Sequence, residues 1–192
     1  MAARRIKIVI TGPPGAGKTA YTRCFTHGEF ETSHVRTLGV NLQVNLQNLS
    51  IQTTRGSFDV ALWDTAGDPD YAGLRGGYAL GAQGVIGIYD GTSRPSVAQL
   101  SPYIEEMCAA ANGASEVDAP DIPVFVCGNK SEEGTILTIE EENELKDKWG
   151  SFTRLSVRSC YHLYDPIETL LRKITGHDDL YLTANPSPLS TY

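Results

Sequence analysis

The chain has 192 residues and a composition ordinary for a globular protein, which fits one domain. Its net charge of −7 argues against binding nucleic acid through bulk electrostatics. The sequence shows no apolar stretch long enough to span a membrane, no terminal cysteine for prenylation and no metal-ligand spacing among its four cysteines. We therefore expect a soluble intracellular monomer, with no nucleic acid and no membrane anchor.

Short β-branched runs alternate with helix-like segments along the chain. The predicted strands are 6–10, 41–53, 58–63, 84–89, 123–127 and 152–155, and the predicted helices are 20–27, 96–111, 139–149 and 166–175. Strands 41–53 and 58–63 flank a turn and are expected to form an antiparallel hairpin. The pattern predicts an α/β domain over 1–182, with a mostly parallel sheet flanked by helices, and a flexible tail over 183–192 rich in proline and serine.

The most informative motif is the glycine-rich turn after the first strand, where residues 12–19 read GPPGAGKT. Between a strand and a helix, backbone N–H groups and the positive helix end surround a phosphate chain. Lys18 is expected to reach the β- and γ-phosphates, and the Thr19 hydroxyl to bind Mg²⁺. The alternative is a plain glycine turn. The residues predicted to line this site are Pro13, Pro14, Gly15, Ala16, Gly17, Lys18, Thr19 and Ala20.

A second group of residues is suited to the metal and the terminal phosphate. Residues 12–19 match the phosphate-binding P-loop motif, and Asp64 ends the strand predicted beside the strand that leads into this loop, so it is placed to support Mg²⁺ through water. Gly67 lacks a Cβ, which lets its N–H approach a γ-phosphate. Thr37, in the loop after the first helix, is a further candidate ligand of Mg²⁺ and of a γ-phosphate oxygen. The predicted metal-binding residues are Thr19, Thr37 and Asp64.

A third group is suited to a purine base. Asn129, Lys130 and Glu132 follow a buried strand, and a carboxylate there can accept the N1 and N2 protons of guanine, which adenine does not offer. A backbone N–H among Ser156, Val157 and Arg158 can donate to guanine O6. Each motif alone has an ordinary turn as its alternative. All of them in this order, at strand ends on one edge of the sheet, indicate a guanine-nucleotide site.

These motifs resemble the Ras superfamily of small GTPases, and within it the Ran family, over roughly residues 6–182. The likeness is densest in 28–31, 37–40, 63–67 and 73–78. It implies a P-loop NTPase G domain with a six-stranded sheet, GTP or GDP with Mg²⁺, and two switch loops that order around the γ-phosphate. It also implies that Phe30 packs on the base. Nucleocytoplasmic transport, a nuclear and cytoplasmic location, and exchange factors, activators and transport receptors as partners follow from the same resemblance.

The chain departs from the Ran pattern at positions expected to affect hydrolysis. The water-orienting glutamine of the family corresponds to Asp68, a carboxylate that a γ-phosphate repels and that cannot donate a hydrogen bond. The tyrosine that covers the site corresponds to His34, and the third P-loop residue is Pro14. Asp68, Lys18 and Thr37 are the expected catalytic residues, and we expect GTP hydrolysis to be slow.

Two further differences leave the partners open. An acidic segment, 131–147, replaces a basic stretch of the Ran family, and it is either a solvated helix face or an altered partner surface. The guanine-reading aspartate is replaced by the longer Glu132. A non-catalytic GTP-binding module that sequesters Ran partners therefore remains an alternative. A small P-loop kinase is a weaker one, because the sequence shows no arginine-rich lid.

Overall fold

The computed structural model describes residues 5–28, 45–65, 77–113 and 121–189. The strands are β1 Ile6–Thr11, β2 Asn45–Thr53, β3 Gly56–Asp64, β4 Gly84–Asp90, β5 Val124–Asn129, β6 Phe152–Arg154 and β7 Ser187–Pro188. The helices are α1 Lys18–His27, α2 Arg94–Ala111, α3 Ile139–Trp149 and α4 Asp165–Thr175. The strands form one sheet in the order β6-β5-β4-β1-β3-β2-β7.

The sheet is mostly parallel, as the sequence predicted. β1 pairs in parallel with β3 and β4, and the parallel pairing continues through β5 to β6. β2 runs antiparallel to β3, which confirms the predicted hairpin. The described residues contain seven strands rather than the six expected, because β7 adds to the edge of β2.

Helices cover both faces of the sheet, which explains why its central strands are almost wholly apolar. Successive residues of β1 alternate between the faces: Ile8 belongs to a cluster with Phe25 of α1 and Leu170 of α4, whereas Val9 belongs to a cluster with Ile104 of α2. Because the strands are parallel, their carboxyl ends meet at one edge of the sheet. The loops that follow these strand ends lie together and can form a binding site.

Local signals define the helix ends. α3 begins with a capping box, in which the Thr138 hydroxyl accepts from the Glu141 N–H at 3.3 Å and the Glu141 carboxylate accepts from the Thr138 N–H at 2.8 Å. Gly150 ends it with φ of +79°. Within the described ranges, no helix is both long enough and apolar enough to cross a membrane.

The described end of the chain lies along the outer edge of β2. In addition to the β2–β7 pairing, the Leu189 N–H donates to the Asn48 carbonyl oxygen at 2.8 Å. Residues 187–189 thus belong to the stretch predicted as a flexible tail, 183–192, and the tail stays a prediction. Proline is compatible with an edge strand, where its missing N–H leaves no ladder bond unmade. The domain boundary at 182 stays a prediction.

Candidate functional site

The loop between β1 and α1 needs glycine at two positions. Gly12 and Gly17 have φ of +140° and +93°, a region that favours glycine. A Cβ on Gly12 would lie 2.0 Å from the Ile88 carbonyl oxygen. A Cβ on Gly17 would lie 2.3 Å from Nδ2 of Asn129. The loop therefore packs directly against β4 and against the polar end of β5.

The same loop presents positive charge. Gly17 is the N-cap of α1, and among the described residues no side chain caps this helix start. Its first N–H groups therefore remain available to an anion, as the P-loop motif predicts. Lys18 is 7% exposed, and its Nζ donates to the carbonyl oxygens of Gly12 and Pro13, each at 2.8 Å. Pro13 and Ala16 are buried, Pro14 and Gly15 are exposed, and Gly17, Thr19 and Ala20 are half-buried.

Thr19 and Asp64 meet beside the phosphate loop. The Thr19 hydroxyl donates to Oδ2 of Asp64 at 2.6 Å, and this carboxylate is 5% exposed. Burial raises the pKa of Asp64, an effect that the Thr19 hydrogen bond and the charges of Lys18 and Arg23 oppose. The other oxygen, Oδ1, is buried without a hydrogen-bond partner among the described residues. A hydroxyl next to a buried, unsatisfied carboxylate oxygen fits a hard divalent cation such as Mg²⁺.

Asn129 joins three loops through one side chain. It lies at the end of β5 and is 4% exposed. Its Nδ2 donates to the Ala16 carbonyl oxygen at 2.9 Å, and its Oδ1 accepts from the Val157 N–H at 3.1 Å. The P-loop, the 129–132 loop and the 156–158 loop are thus held together at the edge where the parallel strands end. We call this arrangement the Asn129 junction.

The remaining residues predicted for the base site also lie at this edge. Lys130 has φ of +65° and pairs with Asp90 at the end of β4. Glu132 is exposed in a short 3-10 turn that follows. Ser156 is buried, with its backbone bonded in both directions to Tyr161, and Arg158 is exposed. Because Val157 N–H is already bonded to Asn129, it is not the amide available to a base.

Other predicted site residues lie outside the described ranges. They are Phe30, Thr37, Gly67 and Asp68, together with His34 of the first switch. Their roles stay predictions.

Sequence reasoning missed two contributors to this edge. Asp90 fixes Lys130, and a carboxylate at the end of a buried strand was a signal that could have found it. Thr65 follows β3, and both its N–H and its hydroxyl donate to the Ile10 carbonyl oxygen, at 3.1 and 2.9 Å. These hydrogen bonds continue the pairing of β3 with β1 beyond Asp64, and no pattern of side chains in the sequence predicts them.

A comparison with protein-family models gives a match to the model described as the Ras family, over residues 7–176. The chain belongs to the Ras family. The match begins in β1 and ends at Gly176, which caps α4, so it spans the P-loop, the Thr19–Asp64 contact and the Asn129 junction. Proteins of the Ras family are small GTPases, switches that bind guanine nucleotide, generally with Mg²⁺.

Proposed function

We propose that this Ras-family protein binds GTP and GDP with Mg²⁺ at the edge described above and hydrolyses GTP slowly. The observation that carries the proposal is the Asn129 junction. Its two hydrogen bonds connect the loop suited to phosphates with the two loops suited to a base. A nucleotide has both parts, so a site that positions both loops in one piece is preorganised for it.

The phosphate half rests on three described side chains. The α1 N-terminus supplies N–H groups, and the buried Lys18 adds a fixed positive charge. Thr19 and Asp64 would hold Mg²⁺, directly and through water. When bound, the metal neutralises charge that accumulates on the phosphate oxygens. Thr37 and Gly67 complete this half in the proposal.

The base half rests on Glu132 and on a backbone amide. Glu132 is exposed beside the junction, so its carboxylate is accessible to the N1 and N2 protons of guanine. Since the Val157 N–H is used by Asn129, we assign the donor to guanine O6 to the next amide, that of Arg158. Phe30 packs on the base, and Lys130 borders the site.

Slow hydrolysis follows from Asp68 in place of glutamine. Chemistry of this class depends on positioning water and on stabilising charge on the γ-phosphate. A carboxylate adds negative charge at that point and cannot donate toward it. The alternative is that the protein does not turn over at all and acts as a GTP-binding module that sequesters partners.

We extend the proposal to a Ran-type role in transport, and the resemblance in the switch segments supports it.

The acidic segment 131–147 is not uniformly a solvated face. Glu142 is 9% exposed and forms two hydrogen bonds to Arg154, and Glu141 caps α3 and pairs with Arg94. Glu140, Glu144 and Asp147 remain exposed. We expect partners that grip a basic patch on Ran to bind this chain poorly.

The nucleotide that co-purifies with the protein tests the proposal. The protein should be purified in Mg²⁺, denatured, and its released nucleotide identified by chromatography and mass spectrometry, beside a Lys18→Ala variant. GDP would support a working switch, and GTP a stalled switch or a binding module. A protein that folds and yields no guanine nucleotide would contradict the proposal.

Pull-downs with GTP-loaded protein separate the partner classes. Transport receptors of the importin type should be retained less than they are by Ran, because the exposed acidic face of α3 repels acidic partner surfaces. Retention equal to that of Ran would contradict the altered-surface interpretation.

A further inference from the structure

Two cysteines from distant parts of the chain lie in contact beside the base site. Cys24 of α1 and Cys160 of the loop after β6 have their sulfur atoms 3.2 Å apart. We propose that Cys24 and Cys160 are a peroxide-sensitive pair that forms an intramolecular disulfide. This bond tethers the base loop to α1 and slows nucleotide release.

One of the two thiols is accessible to a peroxide and the other is not. Cys24 is fully buried, whereas Cys160 is exposed. A bonded pair of sulfurs lies about 2.0 Å apart, so an approach of about 1.2 Å from the observed contact closes the bond. Cys160 is in a short surface loop, where a movement of this size is easier than within α1.

The backbone conformation of Cys160 is one that does not favour cysteine. Cys160 has φ of +56°, a left-handed conformation in which glycine or asparagine is more usual. The loop is closed by two hydrogen bonds between Ser156 and Tyr161, at 3.1 and 3.0 Å. The loop therefore holds Cys160 against Cys24 in spite of an unfavourable local conformation.

The pKa of Cys24 and the exposure of Cys160 indicate which thiol reacts with peroxide first. Burial raises the pKa of Cys24 to about 12, with further contributions from the hydrogen bond and charge of Cys160. Cys160, which a peroxide can reach, is therefore the thiol that reacts first.

The Cys160 thiolate attacks one oxygen of hydrogen peroxide and breaks the O–O bond. This gives a sulfenic acid and hydroxide, which takes up the thiol proton as water. The Cys24 sulfur then attacks the Cys160 sulfur, the S–OH bond breaks, and the Cys24 proton leaves with hydroxide as water. The two thiols lose two electrons and the peroxide gains them.

The location links the bond to the nucleotide site, a link that rests on the proposed function. Both sulfurs lie near the Val157 carbonyl oxygen, Cys24 at 3.6 Å and Cys160 at 4.0 Å. Val157 N–H is the group that Asn129 holds. α1 starts at the P-loop, so a bond from Cys24 to Cys160 joins the phosphate and base halves covalently. Nucleotide release needs these halves to separate, and the disulfide restricts that opening.

The experiment compares four proteins in their nucleotide-bound form: parent, Cys160→Ser, Cys24→Ser and Cys108→Ser. Cys108 is the matched control, since it is a half-buried cysteine of α2 that packs against the other apolar cluster. Each protein is treated with hydrogen peroxide, free thiols are blocked, and disulfide-linked peptides are mapped without reduction. Release of fluorescent GDP is then measured before oxidation, after oxidation and after dithiothreitol.

We expect a Cys24–Cys160 linked peptide in the parent and in Cys108→Ser, and none in the other two variants. Release should slow roughly threefold or more on oxidation and recover on reduction, only in the proteins that form the link. Cys160 found solely as sulfinic acid or as an intermolecular dimer would overturn the pairing. A mapped disulfide with unchanged or faster release would overturn the tethering. Failure of the reduced parent to bind GDP would refute the proposed function and the effect on release, while the peptide map would still decide the pairing.

Discussion

The Thr19 hydroxyl on α1 donates a 2.6 Å hydrogen bond to the Asp64 carboxylate at the end of β3. This contact joins residues 45 positions apart and leaves the second carboxylate oxygen buried without a partner among the described residues. A buried, half-satisfied carboxylate is costly unless a cation or a further donor completes it. The contact is therefore the most specific structural sign of a metal position beside the P-loop.

Thr19→Val should weaken the dependence of nucleotide binding on Mg²⁺. The substitution keeps the side-chain shape but removes a metal ligand and the partner of Asp64. We expect about a tenfold faster release of fluorescent GDP in Mg²⁺, and little further increase when EDTA is added. Thr26→Val is the control, because Thr26 is also a threonine of α1, and its buried hydroxyl donates to the Thr22 carbonyl oxygen of the same helix. Equal EDTA sensitivity of Thr19→Val and the parent would remove Thr19 from the metal site.

Gly17→Ala should disrupt the Asn129 junction. Its Cβ would lie 2.3 Å from Nδ2 of Asn129, so the amide must move away from the Ala16 carbonyl oxygen. Gly28→Ala is a matched control, since Gly28 also has positive φ, +74°, but no atom of the described residues lies within 4 Å of the added Cβ. We expect Gly28→Ala to cost about 1 kcal/mol of unfolding free energy and to bind nucleotide normally. Gly17→Ala should lose about 1–3 kcal/mol more and bind GDP more weakly. Similar behaviour of the two variants in thermal melts and GDP titrations would argue against the junction.

Asp90→Asn should loosen the base loop through Lys130. Burial alone would raise the pKa of Asp90, but the Lys130 ammonium and the hydroxyl and N–H of Thr92 lower it below 3.8 overall. A lowered folded pKa means that this contribution is complete above pH 3.8 and is lost as the pH falls through the folded value. We expect the variant to be about 0.5–1 kcal/mol less stable at pH 7, a modest figure because the pair is partly exposed.

The pH dependence distinguishes this account of Asp90 from a packing defect. The stability difference between Asp90→Asn and the parent should shrink in acid, measured by urea unfolding from pH 7 to pH 3. A difference that stays constant over that range would contradict the ionic account. Glu105→Gln, which breaks an exposed pair with Lys148, should change little at any pH.

Much of the fold was predictable because its signals are local. The helix predicted over 139–149 has the bounds of α3, and the structure shows the local cause in the Thr138 cap at its start and Gly150 at its end. The apolar runs likewise predicted β1 and β4 within one residue at each end. β7 was not predictable, since a serine and a proline carry no strand pattern and only pairing with β2 makes them a strand.

The site was predictable as motifs but not as contacts. The sequence placed Lys18 and Thr19 in the glycine-rich turn and Asp64 and Asn129 at strand ends, and the structure brings all four to one edge. The use of Val157 N–H by Asn129 and the contact of Cys24 with Cys160 join residues 28 and 136 positions apart. Such pairings depend on how the loops pack, which residue spacing does not encode.

Asp68→Gln should raise the rate of GTP hydrolysis. Glutamine can orient the attacking water and donate toward the γ-phosphate, whereas a carboxylate at the position proposed for Asp68 adds negative charge there. The gain should be partial, because His34 replaces the tyrosine expected to cover the site. Single-turnover hydrolysis of preloaded GTP, with and without a Ran activator, gives the rates. A parent as fast as an ordinary Ran-type enzyme, or a slower variant, would show that Asp68 is a competent catalytic residue.

The central claim, a guanine-nucleotide site at the Asn129 edge, is tested most directly by titrating fluorescent GDP and ADP in Mg²⁺. The comparison should include Glu132→Asp and, as a control, Glu133→Asp from the same exposed turn. The account predicts a Kd for ADP at least about tenfold weaker than for GDP, which is about 1.4 kcal/mol. It also predicts tighter GDP binding in Glu132→Asp and no change in Glu133→Asp. Equal affinity of the parent for GDP and ADP would contradict the claim.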